Sequence, residues 1–197
     1  MSTDVVLVSS RVKPDLCKLL CEKLQAFSSR HVTRLIHSKN DDRVNALRVD
    51  AEKKGALIRS ALITPEVGVE GVQDVGGYQH ATMIENVGPD MVFWEQESFG
   101  PLFGVRTCDT IDEAISIINT CPYGLSAAIW TNTHLSLMDI AGKINVGAVH
   151  VNGATVHDEP TLPHGGCKES GWGRFGGHWS LEEFVQTQTV VVNSVAQ

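Results

Sequence analysis

Long apolar runs are missing from this sequence. None approaches the roughly 18 consecutive residues that a spanning helix requires, so no membrane helix is expected. Basic residues are in deficit, with 16 Lys and Arg against 23 Asp and Glu and a formal charge of −7. The two signs are interspersed, which leaves no face able to neutralise a run of phosphates, and nucleic acid is not expected as a partner. Cysteine is sparse and irregular: the five residues form no Cys-x-x-Cys pair, so neither a disulfide framework nor a structural zinc site is indicated. Cys17 and Cys21 instead share one helical face, where free cysteine behaves as a small buried hydrophobe. His31, His37, His80 and His150 stand alone and give no metal-ligand spacing. The sequence opens without a basic segment followed by an apolar one and a cleavage site, and the expectation is a soluble cytoplasmic protein.

What is present is an alternation of strands and helices. Val5 to Val8 is too short and too β-branched for a helix and reads as a strand buried on both faces. Pro14 opens a helix in which Leu16, Leu20, Leu24 and Phe27 make one apolar stripe. A second helix is expected from about Asn40 to Lys54, with Val44, Leu47 and Ala51 as its core face and Gly55 beyond its end. Arg59 to Gln79 shows little periodicity and reads mostly as loop. Strands follow at Ala81–Val87, Leu102–Cys108, Ser126–Trp130 and Ala148–Asn152, with helices after Thr110 and from Leu135 to Ile144. Thr110 with Glu113, and Ser180 with Glu183, read as capping boxes. Thr187 to Val192 reads as a closing strand. The fold class is α/β, a mainly parallel sheet flanked by helices. One domain is expected over 1–186, with 187–197 as a C-terminal strand for oligomerisation.

Three stretches resemble the aldehyde dehydrogenase superfamily. They are Glu97-Ser98-Phe99-Gly100-Pro101, continuing to Tyr123-Gly124-Leu125; then Gly147 to Asn152; then Pro163-His164-Gly165-Gly166-Cys167-Lys168-Glu169-Ser170-Gly171-Trp172-Gly173-Arg174. They occur in family order and spacing. Thr155 to Pro160 looks most like the branch that acts on aromatic aldehydes such as salicylaldehyde or vanillin. The resemblance implies a catalytic-domain-like fold and places the start of this chain one residue after the family's nucleophilic cysteine. It also implies that the dinucleotide-binding sheet, the general-base glutamate and the oxyanion asparagine belong upstream, so no bound cofactor is expected for this chain by itself.

Within that likeness, Glu97 matches a glutamate that hydrogen-bonds a cofactor ribose and Phe99 a residue beside the nicotinamide. Lacking a dinucleotide fold to support them, Glu97 is retained as an acid or base and Phe99 as a substrate contact. Asn152 to His164 corresponds to the loop shaping the aldehyde tunnel. His157, Asp158 and His164 there supply imidazoles and a carboxylate suited to proton transfer near neutral pH, while Asn152, Glu159 and Trp172 are candidate substrate contacts. Lys168 and Arg174 are expected to hydrogen-bond carbonyls of the Gly-rich turn, and no metal site is expected. Two functions compete. One is a repurposed, cofactor-independent isomerase, cyclase or lyase acting on an aromatic or polyketide-like carbonyl compound. The other is an inactive fragment or regulatory binding module derived from an NAD-dependent aromatic aldehyde dehydrogenase. A homodimer through the C-terminal strand is expected with either.

Overall fold

The computed structural model describes residues 3–31, 33–60, 78–133 and 137–193. By its contacts the chain divides into two compact units, Met1–Cys121 and Pro122–Gln197. The first is a four-stranded sheet in the order β1 (Val5–Val8), β6 (Leu102–Thr107), β5 (Thr82–Glu85), β3 (Leu57–Ser60). The β1–β6 and β6–β5 pairs are parallel and β3 joins the edge antiparallel. The expected loop after Arg59 therefore begins later than the sequence suggests, and residues 61–77 lie outside the described ones. A two-residue pair, β2 (Thr33–Arg34) with β4 (Tyr78–Gln79), lies apart from the sheet.

Strand alternation sends side chains to two faces, and each face takes one helix. On one face Val8, Met83 and Val105 pack with Cys17 of α1 (Lys13–Ser28), with Leu16, Leu20, Cys21 and Leu24 against them. On the other, Ile84 and Leu102 pack with Val44, Leu47 and Ala51 of α2 (Lys39–Lys53), together with Val87 and with Phe93 of the short helix α3 (Val92–Glu95). The expected face of α2 is the one that is buried. The stripe on α1 is shorter than its spacing predicts. Phe27 stays 47% exposed, outside the cluster that Leu16, Leu20 and Leu24 join, with its ring centroid 4.9 Å from that of His31. The strand Val5–Val8 is likewise less enclosed than expected, with only Val8 buried. Helix α4 (Ile111–Thr120) begins as expected: the Glu113 amide donates to Thr110 Oγ1 at 3.1 Å, and the Glu113 carboxylate accepts from the Asp109 amide at 3.1 Å.

The second unit is built on β8 (Ser126–Ile129) parallel to β9 (Ala148–Val151), with α5 (Leu137–Lys143) between them in sequence. A second pair, β7 (Tyr123–Gly124) with β10 (Cys167–Lys168), is antiparallel. Gly147 permits a close crossing at the entry to β9: a Cβ there would lie 1.7 Å from the Gly165 carbonyl oxygen, so no other residue fits.

One expectation for this unit is corrected. Ser180 and Glu183 do not form a capping box, since α6 runs from Gly177 to Phe184 and Gly176 is its N-cap. Ser180 Oγ accepts from the Gly176 amide at 2.8 Å, reaching back to the N-cap from one residue beyond the position that closes a capping box. Described residues 187–193 pair with no strand of the same chain, and Val190, Val191 and Val192 are exposed.

Two measurements check this account of the first unit. Leu47→Ala, at a site only 2% exposed, should lose about 2–5 kcal/mol in urea denaturation, while Phe27→Ala should lose under about 1 kcal/mol. Equal losses would mean that Phe27 is part of the core. The second concerns Asp50, whose carboxylate takes Lys54 Nζ at 2.8 Å and the Val92 amide at 2.8 Å and is held below the usual aspartate range by those bonds. A depressed folded value stabilises the fold above the unfolded value of about 3.9, and that stability is lost as pH falls through the folded one. Asp50→Asn should therefore be less stable than the parent at pH 7, with the difference shrinking as pH drops below about 4. A difference independent of pH would remove the charge from the explanation.

Candidate functional site

The loop between α3 and β6, Gln96 to Pro101, is anchored from two directions. Arg43 on α2 donates through Nη1 to the Glu97 carbonyl at 3.0 Å and through Nη2 to the Ser98 carbonyl at 2.6 Å. Ser98, 2% exposed, donates its hydroxyl to Asp4 Oδ1 at 3.1 Å, just ahead of β1. So held, Phe99 adopts φ +41° and remains 73% exposed. It edges an open groove of about 600 Å³ whose walls include Thr33, Ile36, Asn40 and Arg43. Both carboxyls here are pushed up. Burial raises Glu97, and the Asp4 charge raises it further; burial also raises Asp4, opposed by its hydrogen bonds from Ser98. Sequence reasoning singled out Glu97 and Phe99 but missed Arg43 and Asp4. Arg43 lies 54 residues from the loop it holds, and nothing local in the sequence marks such a contact.

The remaining candidates belong to the second unit. Asn152 has φ +52°, and its carboxamide is committed to the chain after β8: Oδ1 accepts from the Thr131 amide and Nδ2 donates to the Thr131 carbonyl, both at 2.9 Å. It fixes the start of the loop. His157 Nε2 lies 3.2 Å from Glu159 Oε1, and the His157 ring is edge-on to His150 with centroids 6.4 Å apart. His164 Nδ1 lies 3.4 Å from Asp158 Oδ1. The loop thus forms two imidazole–carboxylate pairs, which is the pairing that proton transfer uses. His157, Asp158 and Glu159 are nevertheless exposed, and His164 alone is half-buried.

His164 is set by its backbone. It exchanges hydrogen bonds with Phe175 at 2.7 and 2.9 Å, and the two rings lie 5.0 Å apart. Arg174 stiffens the turn between them, donating to the carbonyls of Gly166 at 2.9 Å and Gly173 at 2.6 Å, as expected. His164, Arg174, Phe175 and Phe184 line an open cavity of about 430 Å³ with Trp172 at its rim, 93% exposed. His157, Asp158 and Glu159 do not line it.

The helix starts of the first unit bear on anion binding. Pro14 stands in the first turn of α1 and removes a donor; the Asp50 carboxylate occupies the Val92 amide at the start of α3; Thr110 and Glu113 close the start of α4. Asp41 and Asp42 fill the first turn of α2. Among the described residues no cluster of three or more His, Cys, Asp or Glu could hold a metal ion, and no helix is long and apolar enough to cross a membrane.

Comparison with known proteins agrees with the order of these elements. Residues 1–190 match the aldehyde dehydrogenase family. A benzaldehyde dehydrogenase [NAD(+)] of Pseudomonas putida is 38% identical over 161 residues, 81% of this chain and 31% of that protein. A salicylaldehyde dehydrogenase of Pseudomonas sp. strain C18 is 28% identical over all of this chain and 40% of its own length. The crystal structure of a salicylaldehyde dehydrogenase from Pseudomonas putida G7, complexed with salicylaldehyde, superposes with a TM-score of 0.84 at 27% identity, over 98% of this chain and 40% of that one. The chain thus spans less than half the length of these relatives. On the match over residues 1–190, it belongs to the aldehyde dehydrogenase family.

Proposed function

We propose that this chain contributes one part of an NAD-dependent dehydrogenase of aromatic aldehydes, and that its activity depends on polypeptide supplying the rest of that fold. The observation carrying this reading is that relatives named for benzaldehyde, salicylaldehyde and vanillin match along four fifths or more of the chain. The alternative of a cofactor-independent isomerase, cyclase or lyase has no counterpart among these relatives. It also meets a physical objection, because three of the four polar residues it would use face open solvent, where water competes for every proton and screens every charge.

Oxidation of an aldehyde by this route needs a thiolate nucleophile, and a nicotinamide supplies the hydride acceptor when bound. At the starts of α3 and α4 the protein's own acceptors already take a backbone amide. The part assigned to this chain is that of positioning. Glu97 and Phe99 stand on an anchored loop, and His164 lies in a wall of aromatic side chains suited to a ring-bearing substrate.

The purified chain should produce no NADH from benzaldehyde, salicylaldehyde or vanillin at 340 nm. Mixed and refolded with the remaining N-terminal part of the Pseudomonas putida benzaldehyde dehydrogenase, it should. Turnover by the chain alone, free of contaminating dehydrogenase, would refute the division of labour, and an inactive mixture that co-purifies as one complex would refute the dehydrogenase assignment. In the active mixture His164→Ala should raise KM for the aldehyde by about tenfold, the equivalent of 1.4 kcal/mol of binding. An unchanged KM would take His164 out of the substrate wall.

A further inference from the structure

Helix α2 holds the segment Asp90 to Gly100 at both ends. Near its C-terminus Asp50 accepts from the Val92 amide at 2.8 Å, and Lys54 Nζ donates to the Asp90 carbonyl at 2.5 Å. Near its N-terminus Arg43 takes the carbonyls of Glu97 and Ser98. Arg43 and Asp50 are seven residues apart, about 10 Å along the helix. Between these grips Val44 presses on Gly100: a Cβ at Gly100 would lie 2.7 Å from Val44 Cγ2. The helix therefore lies against the loop as closely as a glycine allows, and its burial through Val44, Leu47 and Ala51 makes it a rigid support.

What the grip holds is not a relaxed turn. A non-glycine residue at positive φ costs on the order of 1–3 kcal/mol and persists only where its surroundings over-determine it. Phe99 has that conformation and points its ring to solvent, so no packing of its own ring favours the strained state. The forked guanidinium is the interaction that can. It binds two successive carbonyls at once and so fixes the orientation of both peptide planes preceding Phe99, which a single-point donor cannot do.

We propose that Arg43 is the positioning residue of this site, the group that fixes where Glu97 and Phe99 are presented. This deepens the dehydrogenase reading and rests on it for its functional meaning, but the clamp itself is a property of the chain alone. Arg43 touches no reacting atom and acts through the backbone of its two neighbours.

The test has two arms. In the full chain, carbon-13 detection of the Glu97 carboxyl during a pH titration reads the loop directly. Arg43→Ala should bring its midpoint down, because the released loop leaves the fixed surroundings, the Asp4 charge among them, that raise it, while the Asp50 midpoint at the other end of α2 stays put. Arg43→Lys, with one ammonium for two carbonyls, should fall between parent and Arg43→Ala, and serves in its place if that variant does not fold. A Glu97 midpoint equal to the parent's in a folded Arg43→Ala or Arg43→Lys, or one that moves together with Asp50, overturns the proposal. The second arm uses the reconstituted mixture. Arg43→Ala should lower kcat by tenfold or more with the aldehyde KM within about twofold, and Arg43→Lys should recover part of it. Loss confined to KM overturns the positioning role. If the parent mixture is inactive, the dehydrogenase reading fails, and the titration alone decides the clamp.

Discussion

The burial of one face of α2 is the constraint on which the rest of the first unit depends. Val44, Leu47 and Ala51 recur at spacings of three and four, and all three are buried against Ile84 and Leu102. Once that face is committed, the flanking positions of the helix are committed too. Arg43 and Asp50 come to lie where α3 and the Glu97 loop pass, and their polar ends find backbone groups that the sheet leaves unpaired. An apolar pattern thus determines the location of polar contacts, and those contacts determine the shape of the loop.

The same dependence explains what could be read from the sequence. Elements fixed by short-range rules were legible. Thr110 with Glu113 names the start of α4, and the triad Val44, Leu47, Ala51 names the inner face of α2. Failure came where a local rule met an unseen partner. Ser180 and Glu183 satisfy the pattern of a capping box, yet Gly176 at φ +96° lets the chain turn into α6 earlier and leaves Ser180 inside the helix. Phe27 satisfies the stripe of α1 but stays outside the cluster that Leu16, Leu20 and Leu24 join.

The candidate site divides along the same line. The resemblance marked Glu97, Phe99 and the loop Asn152 to His164 because those residues lie within recognisable motifs. It did not mark Arg43 or Asp4, whose contacts with the loop span 54 and 94 residues of sequence. Asn152, expected as a substrate contact, also ties the loop to the chain after β8 through both ends of its carboxamide, a contact the motif does not announce.

Electrostatics separates the two readings of the polar loop more firmly than residue identity does. His157 with Glu159 and His164 with Asp158 are pairs that proton chemistry could use, but His157, Glu159 and Asp158 face water, where such a pair gains little from proximity. A site that transfers protons without a cofactor requires the opposite: groups withdrawn from water, with ionisation shifted by burial. In this chain burial raises Asp4, and burial with the Asp4 charge raises Glu97, although the Glu97 side chain remains exposed. Glu97 and Phe99, both exposed, stand together on a loop whose backbone Arg43 and Ser98 hold, an arrangement that presents side chains rather than withdrawing them from water.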